Sequence, residues 1–479
     1  MFYSYFSSFN FVSLRMQNNC CPVIYTEKIP DIRIQKRIEF SMNKMFTLGS
    51  SIVNRLSSLH SEKIGFYRML SNTRFSYNDL LEGSFKLCLS NIDTNHVLAI
   101  QDTTEFNYGG LKSKLGKDDP DIGPTGSSKI AGYFCHPMLI VNPVSNSLLG
   151  LSSAQFYNRS WGQLNKKERN YTKLDIEEKE SYRWIKSLIE TKDLIPENVE
   201  ITIIGDREND IFEDFDRVPD ERTNLLIRSR CDRNIVGEHK KLYNLLDNTV
   251  IAGSIEVEIN GQKNRKKRVA LIDVKFTKAK ICAPSGLKVS QKNIEIYVVE
   301  ATENTATIPE NEAGISWKLL TTHKVDNLEK AVECINWYKK RWLIEELFRV
   351  IKTKGFEIES SQLGDGFKLK KLLAMTLEVA LQVMRLKLSL NDESQKQDNL
   401  FDSNEIKFLE KLNGKIEGAT KKQKNPYDGN SLAWITWIIA RIGGWTGYNS
   451  QGPPGYITVK NGLDRYHQQY EGYLLFSDD

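Results

Sequence analysis

Residues 337–355 read WYKKRWLIEELFRVIKTKG. Wound as a helix at about 100° per residue, Tyr338, Arg341, Glu345 and Lys352 project within one arc of roughly 60°. Leu343, Ile344, Leu347, Phe348, Val350 and Ile351 fall on the other side, so the apolar stripe is expected to be buried and the polar arc to face a site. A carboxylate flanked by a phenol, a guanidinium and an ammonium group suits a metal ion beside a phosphate. Glu346 points about 100° away from Glu345, which makes Glu345 the member of that pair aimed at the site. Any one of these charged residues alone reads as solvated helix surface. Tyr338 sets the group apart, because tyrosine is not a typical solvating residue.

Two more carboxylates follow apolar runs of β type, Val97 to Gln101 before Asp102 and Val199 to Gly205 before Asp206. Such runs read as buried strands, and ligands of an α/β sheet collect at the carboxyl ends of its strands. Each aspartate alone is more often a turn or cap residue; with Glu345 they make a possible site. Three oxygen ligands from separate elements favour Mg²⁺, with Mn²⁺ able to substitute, over zinc. Two such ions about 4 Å apart serve both the attacking and the leaving oxygen of a phosphodiester. In that scheme Asp102 bridges the ions, and Asp206 and Glu345 each complete one shell.

In these residues the chain resembles the DDE transposases of bacterial cut-and-paste elements, specifically the IS-four group that includes the Tn-five transposase. The family pattern of Tyr, two residues, Arg, three residues, Glu, six residues and Lys falls on Tyr338, Arg341, Glu345 and Lys352 without a gap. Matching segments continue in LAIQDTT around Asp102, GDREND around Asp206, EKES at 178–181, WKLLT from Trp317 and SLAWITWIIARIGGW near the C-terminus, so the resemblance spans roughly residues 31–460. It implies an α/β, RNase H-like catalytic domain and a homodimer that pairs transposon-end DNA and joins it to target DNA. Cleavage by water is followed by attack of the freed 3′ hydroxyl on the opposite strand, hairpin opening and strand transfer. Arg341, Lys352 and Tyr338 are then contacts to the DNA backbone. Trp317 matches the tryptophan that receives a flipped base, and Arg228 an arginine close to the same DNA end; by composition alone, a Trp in an apolar β segment is more often core.

Domain organisation follows from the flanks. Residues 1–30 are expected to be a disordered extension, with translation starting at Met16 or later; they lack the basic n-region of a signal peptide. Pro30 and Asp31 mark a helix entry, after which Arg33, Lys36, Arg37 and Lys44 share an arc of about 100°. With Arg68 and Arg74 they make 31–93 a candidate helical DNA-binding domain, or simply a solvated basic face. The catalytic domain is expected over 94–385, with an inserted β-sheet subdomain near 234–312 that carries the basic run KNRKKR at 263–268. Asp326 and Glu329 form a capping-box pattern at the start of the Glu345 region, and Gly355 is a plausible stop. Residues 386–479 resemble the C-terminal helical dimerisation region, with Trp434, Trp437 and Trp445 as pairing surface.

Composition fits without deciding. At 479 residues and a net charge of +5, with 40% hydrophobic residues, the chain is an ordinary globular protein and too mildly basic to declare nucleic-acid binding. Seven cysteines without a CxxC pair indicate neither a disulfide framework nor a zinc site. No apolar run reaches membrane length, so a cytoplasmic bacterial protein with no membrane partner is expected. Two alternatives are an RNase H-like nuclease that cuts without joining and an inactive DNA-binding inhibitor of transposition, the second at odds with three intact acids.

Overall fold

The computed structural model describes residues 27–476 apart from 112–114, 116–117, 127–129, 163–168, 172–173, 260–267, 353–354, 394, 396–399 and 449–451. The expected disordered extension up to residue 26 and the basic run at 263–267 lie outside the described residues.

The chain opens with helices α1 (Ile32–Leu48), α2 (Val53–Leu56), α3 (His60–Leu70) and α4 (Tyr77–Ser90). Strands β1 (His96–Gln101), β2 (Thr104–Asn107), β3 (Gly123–Thr125), β4 (Ile130–Val141) and β5 (Leu148–Tyr157) follow, then α5 (Tyr182–Leu194), β6 (Glu200–Gly205), α6 (Phe212–Arg217) and β7 (Thr223–Arg228). Next come α7 (Leu242–Asp247), β8 (Gly253–Ile259), β9 (Arg268–Cys282), β10 (Asn293–Glu303) and β11 (Ser316–Thr321). Helices α8 (Leu328–Lys339), α9 (Trp342–Ile351), α10 (Gly366–Ser389), α11 (Ser403–Ile416), α12 (Leu432–Ile442) and α13 (Tyr456–Phe476) complete it. Among the described residues no helix is long and apolar enough to cross a membrane.

Two compact units result, one of residues 88–349 with 362–370 and the other of 1–87, 350–361 and 371–479. The first holds a mixed sheet in the order β2-β4-β1-β6-β7-β11-β10-β9-β8, with β3 and β5 also on β4. The central strands β1, β6 and β7 run parallel, and β4 joins β1 antiparallel. Their near-continuous apolar runs reflect burial on both faces: Val97, Ala99, Ile201, Ile203, Leu225 and Ile227 share a core with Leu188 of α5 and Phe212 and Phe215 of α6. The expected inserted subdomain is not a separate sheet. Its strands β8 to β10 continue through β11, which lies antiparallel on β7 and hides the edge that β7 would otherwise expose.

The second unit corrects the expected division into 31–93, 94–385 and 386–479, because helices from both ends of the chain share it. Helix α1, capped by Asp31, buries Ile38, Met42, Met45 and Phe46 and packs on α3 and α13; the rings of Phe46 and His467 lie 6.3 Å apart. Helix α12 is buried from Leu432 to Ala440 and packs against α11 and α13. Trp434 and Trp437 are therefore core side chains, and the expectation that they pair subunits is withdrawn. Trp445 is half-buried, with its indole donating to the Gly452 carbonyl at 3.0 Å.

A chain ending near residue 385 is thus expected to fail as an isolated DNA-binding fragment. It loses α13 from the apolar face of α1, so it should bind a dye for exposed apolar surface and lose cooperative helix melting in circular dichroism. A truncated chain with a sharp transition and no dye binding would show that α1 to α4 stand without the C-terminal helices.

Candidate active site

Helix formation around Glu345 differs from the expected single helix. Backbone bonds of i to i−3 type from Lys340 and Arg341 interrupt it, leaving α8 to end at Lys339 and α9 to begin at Trp342. Asn327, not Asp326, caps α8 by accepting from the Lys330 amide at 2.9 Å; Asp326 pairs with Lys324 instead. The wheel survives the interruption. Ile344, Leu347, Val350 and Ile351 are fully buried, and Glu345 stays on the polar side. Glu346 turns away to accept from the Trp342 indole at 3.0 Å and from Arg349 at 2.9 Å.

Asp102 follows β1 and Asp206 follows β6, so the parallel pairing of these strands brings both carboxylates to the same end of the sheet. Arg341 reaches between strand end and helix: its Nη1 donates to Asp102 Oδ2 at 3.2 Å and its Nη2 to Glu345 Oε1. Tyr338 is buried, and burial above all pushes its phenol up, with the Arg341 and Arg228 cations opposing and the Asp206 carboxylate adding. Trp317 of β11 stands edge-on to Tyr338 with ring centroids 5.3 Å apart, while Arg228 also donates to the Ser316 carbonyl at 3.1 Å. Asp102, Asp206, Glu345, Arg341, Tyr338, Arg228 and Trp317 therefore form one neighbourhood. Lys352 lies one residue past α9 in the other compact unit, where its carbonyl accepts from Gly355 and Glu357. Gly355 serves the expected stop, since a Cβ there would come within 1.5 Å of the Val350 carbonyl oxygen.

On α1, Arg33 is tied to its own cap Asp31, Lys36 is exposed, and Arg37 and Lys44 flank the Phe40 ring at 5.4 and 5.9 Å. Of the four, Arg33 and Lys36 are exposed, and Arg37 and Lys44 are half-buried.

The acids repel one another. The Asp102 carboxyl is pushed up to about 7, by burial first and the Asp206 charge second, with Glu345 adding and the Thr103 amide and Arg341 opposing. Among the described residues no three acidic, His or Cys side chains stand as a ready-made metal cage, and the Arg341 guanidinium bonds to both Asp102 and Glu345. The donor set nevertheless fits a hard divalent cation, being all oxygen and carrying a surplus of negative charge that a cation relieves.

The raised Asp102 pKa has a definite sign in stability. Its folded-state value lies above the ordinary carboxylate value of 3.8, so the favourable contribution is present at low pH and is lost as pH climbs from about 4 to about 7. In chelator, the protein is expected to melt at a lower temperature at pH 8 than at pH 6, and Asp102→Asn should remove most of that difference. A variant with the same pH trend as the parent would place the titration elsewhere.

Sequence reasoning passed over Arg183 of α5, whose Nε donates to Thr103 Oγ1 at 2.9 Å and whose Nη2 meets Glu208 at 3.2 Å. It lies two residues after the EKES segment, which was the available signal. It also took GDREND only for Asp206. In the structure Asp206 caps the following turn through the Glu208 amide at 2.8 Å, and Asp210 holds the buried Arg233 and the Arg230 amide.

No family model matches the chain. Among solved structures it is similar to the cryo-EM structure of the piggyBac transposase synaptic complex with hairpin DNA, at 9% identity and a TM-score of 0.37, over 93% of this chain and 73% of that one. A likeness at that level is too loose to bear on fold or chemistry.

Proposed function

We propose that this chain is a DNA transposase of the DDE class with an RNase H-like catalytic unit, acting by phosphodiester hydrolysis and transesterification at transposon ends. The observation that carries the reading is the convergence of Asp102, Asp206 and Glu345 from β1, β6 and α9, with the Arg341 guanidinium across two of them. The three carboxylates would hold Mg²⁺, or Mn²⁺ in its place. When bound, two such ions lower the pKa of an attacking water and stabilise the leaving 3′ oxygen. Arg341 is free to trade a carboxylate for a phosphate oxygen, Tyr338 and Arg228 offer hydrogen bonds to the DNA backbone, and Trp317 offers a ring on which a base can stack. Lys352 and the α1 residues Arg33, Lys36, Arg37 and Lys44 are assigned to DNA binding on the resemblance, as are the IS-four group, the hairpin intermediate and a homodimer on paired ends.

The test uses labelled duplexes carrying the inverted repeats that flank the gene, with supercoiled plasmid as target and Mg²⁺. Nicking, a hairpin-sized product and joined plasmid are expected in succession. Cutting without joining would make the chain a nuclease, and end binding without cutting would make it an inhibitor.

A further inference from the structure

Beneath the two aspartates runs a chain of polar side chains to which the chemistry above gives no role. Arg183 Nε donates to Thr103 Oγ1 at 2.9 Å, and Thr103 Oγ1 lies 2.8 Å from His136 Nδ1. His136 Nε2 lies 3.0 Å from Gln101 Oε1, Gln101 Nε2 donates to Asn209 Oδ1 at 2.9 Å, and Asn209 Nδ2 donates to Asp214 Oδ2. One assignment of protons satisfies every link. An amide oxygen can only accept, so His136 carries its proton on Nε2; its bare Nδ1 then takes the Thr103 hydroxyl proton, and the hydroxyl oxygen takes that of Arg183. The donors run in a single direction from Arg183 of α5 to Asp214 of α6. Gln101, His136, Asn209 and Asp214 are all 0% exposed, so a broken link leaves a buried group unpaired.

Position gives the relay its meaning. Gln101 and Thr103 flank Asp102, and Asn209 ends the turn that Asp206 caps. Gly205 makes room for it, since a Cβ there would fall 2.0 Å from Asn209 Oδ1.

We propose that the Gln101–Asn209 link, braced by His136 and Thr103, is a positioning strut that holds Asp102 and Asp206 at the separation a shared divalent cation requires. The inference rests on the metal-dependent reading of the site given above. In this role they act through the backbone, Gln101 and Thr103 on either side of Asp102 and Asn209 at the end of the turn that Asp206 caps. Outer partners of this kind typically change metal affinity or activity by roughly 10–100-fold when removed.

The experiment measures Mn²⁺ binding to the full-length protein by calorimetry, without DNA, alongside thermal melting. Gln101→Met and Asn209→Leu should each weaken Mn²⁺ binding by roughly 10-fold or more, and the double variant by little more than either alone, because both remove the shared Gln101–Asn209 link. Thr103→Val keeps the shape of the side chain and removes only the hydroxyl links. It should weaken binding by roughly 3–10-fold, and it remains readable if the buried variants fail to fold. A part that is merely structural would lower the melting temperature and leave Mn²⁺ affinity unchanged in the folded variants; that result overturns the strut. Absence of Mn²⁺ binding by the parent protein overturns the metal-dependent reading itself, and the strut with it.

Discussion

Asp102→Asn, Asp206→Asn and Glu345→Gln are each expected to lower Mg²⁺-dependent cleavage of end DNA by on the order of 10³-fold or more, while end binding in chelator stays near that of the parent. The amides keep size and shape but remove the charge that balances a divalent ion. Local structure separates this outcome from misfolding. Asparagine at 206 can still accept from the Glu208 amide as a cap, so the turn after β6 survives. At 102 the substitution removes a carboxylate held at about 7 by burial and by its acidic neighbours, so the metal-free protein should melt higher at pH 8 although it no longer cuts. Asp102→Asn and Glu345→Gln each weaken an ion pair with Arg341, whereas Asp206→Asn does not touch that guanidinium. Nicking of a labelled duplex checks the series, and any variant that cuts within about tenfold of the parent removes its residue from the site.

The acids were legible because each rule behind them is local. Buried parallel strands carry near-continuous apolar runs, and Asp102 and Asp206 follow directly on the ends of such runs. Glu345 was legible through helix periodicity, which held although the helix is interrupted at Lys340 and Arg341; neither Gly nor Pro marks that point. Asp326 and Asn327 are equally able caps by residue type, and in the structure Asn327, with extended backbone, accepts from the Lys330 amide. The polar strut was out of reach for a different reason. Gln101 and Asn209 lie 108 residues apart and Thr103 and Arg183 lie 80 apart, so no window of sequence contains a pair. The sharing of one unit by α1 and α13 is hidden in the same way. Helix α12 did carry its signal: LAWITWIIARI is apolar on every face, which is the mark of a helix buried on all sides and not of a surface that pairs subunits.

Arg341→Lys keeps the charge and is still expected to lower cleavage by on the order of 10²-fold, because the site uses the shape of the guanidinium. Two different nitrogens of Arg341 reach two acids from different elements, Nη1 to Asp102 and Nη2 to Glu345. A lysine has one nitrogen on a flexible stem and can hold one of those oxygens at a time. In the proposed mechanism a cation on the carboxylates would release the same planar fork to grip two phosphate oxygens, a geometry an ammonium group does not match. If fork geometry is what matters, Arg341→Lys should be nearly as impaired as Arg341→Met, in hairpin formation as well as in the first nick. If charge alone matters, the lysine variant should cut close to the parent rate and only the methionine variant should fail. Parallel time courses of the three proteins on one nicked and one intact end duplex decide between these outcomes, and a fully active lysine variant would reduce Arg341 to a counter-ion.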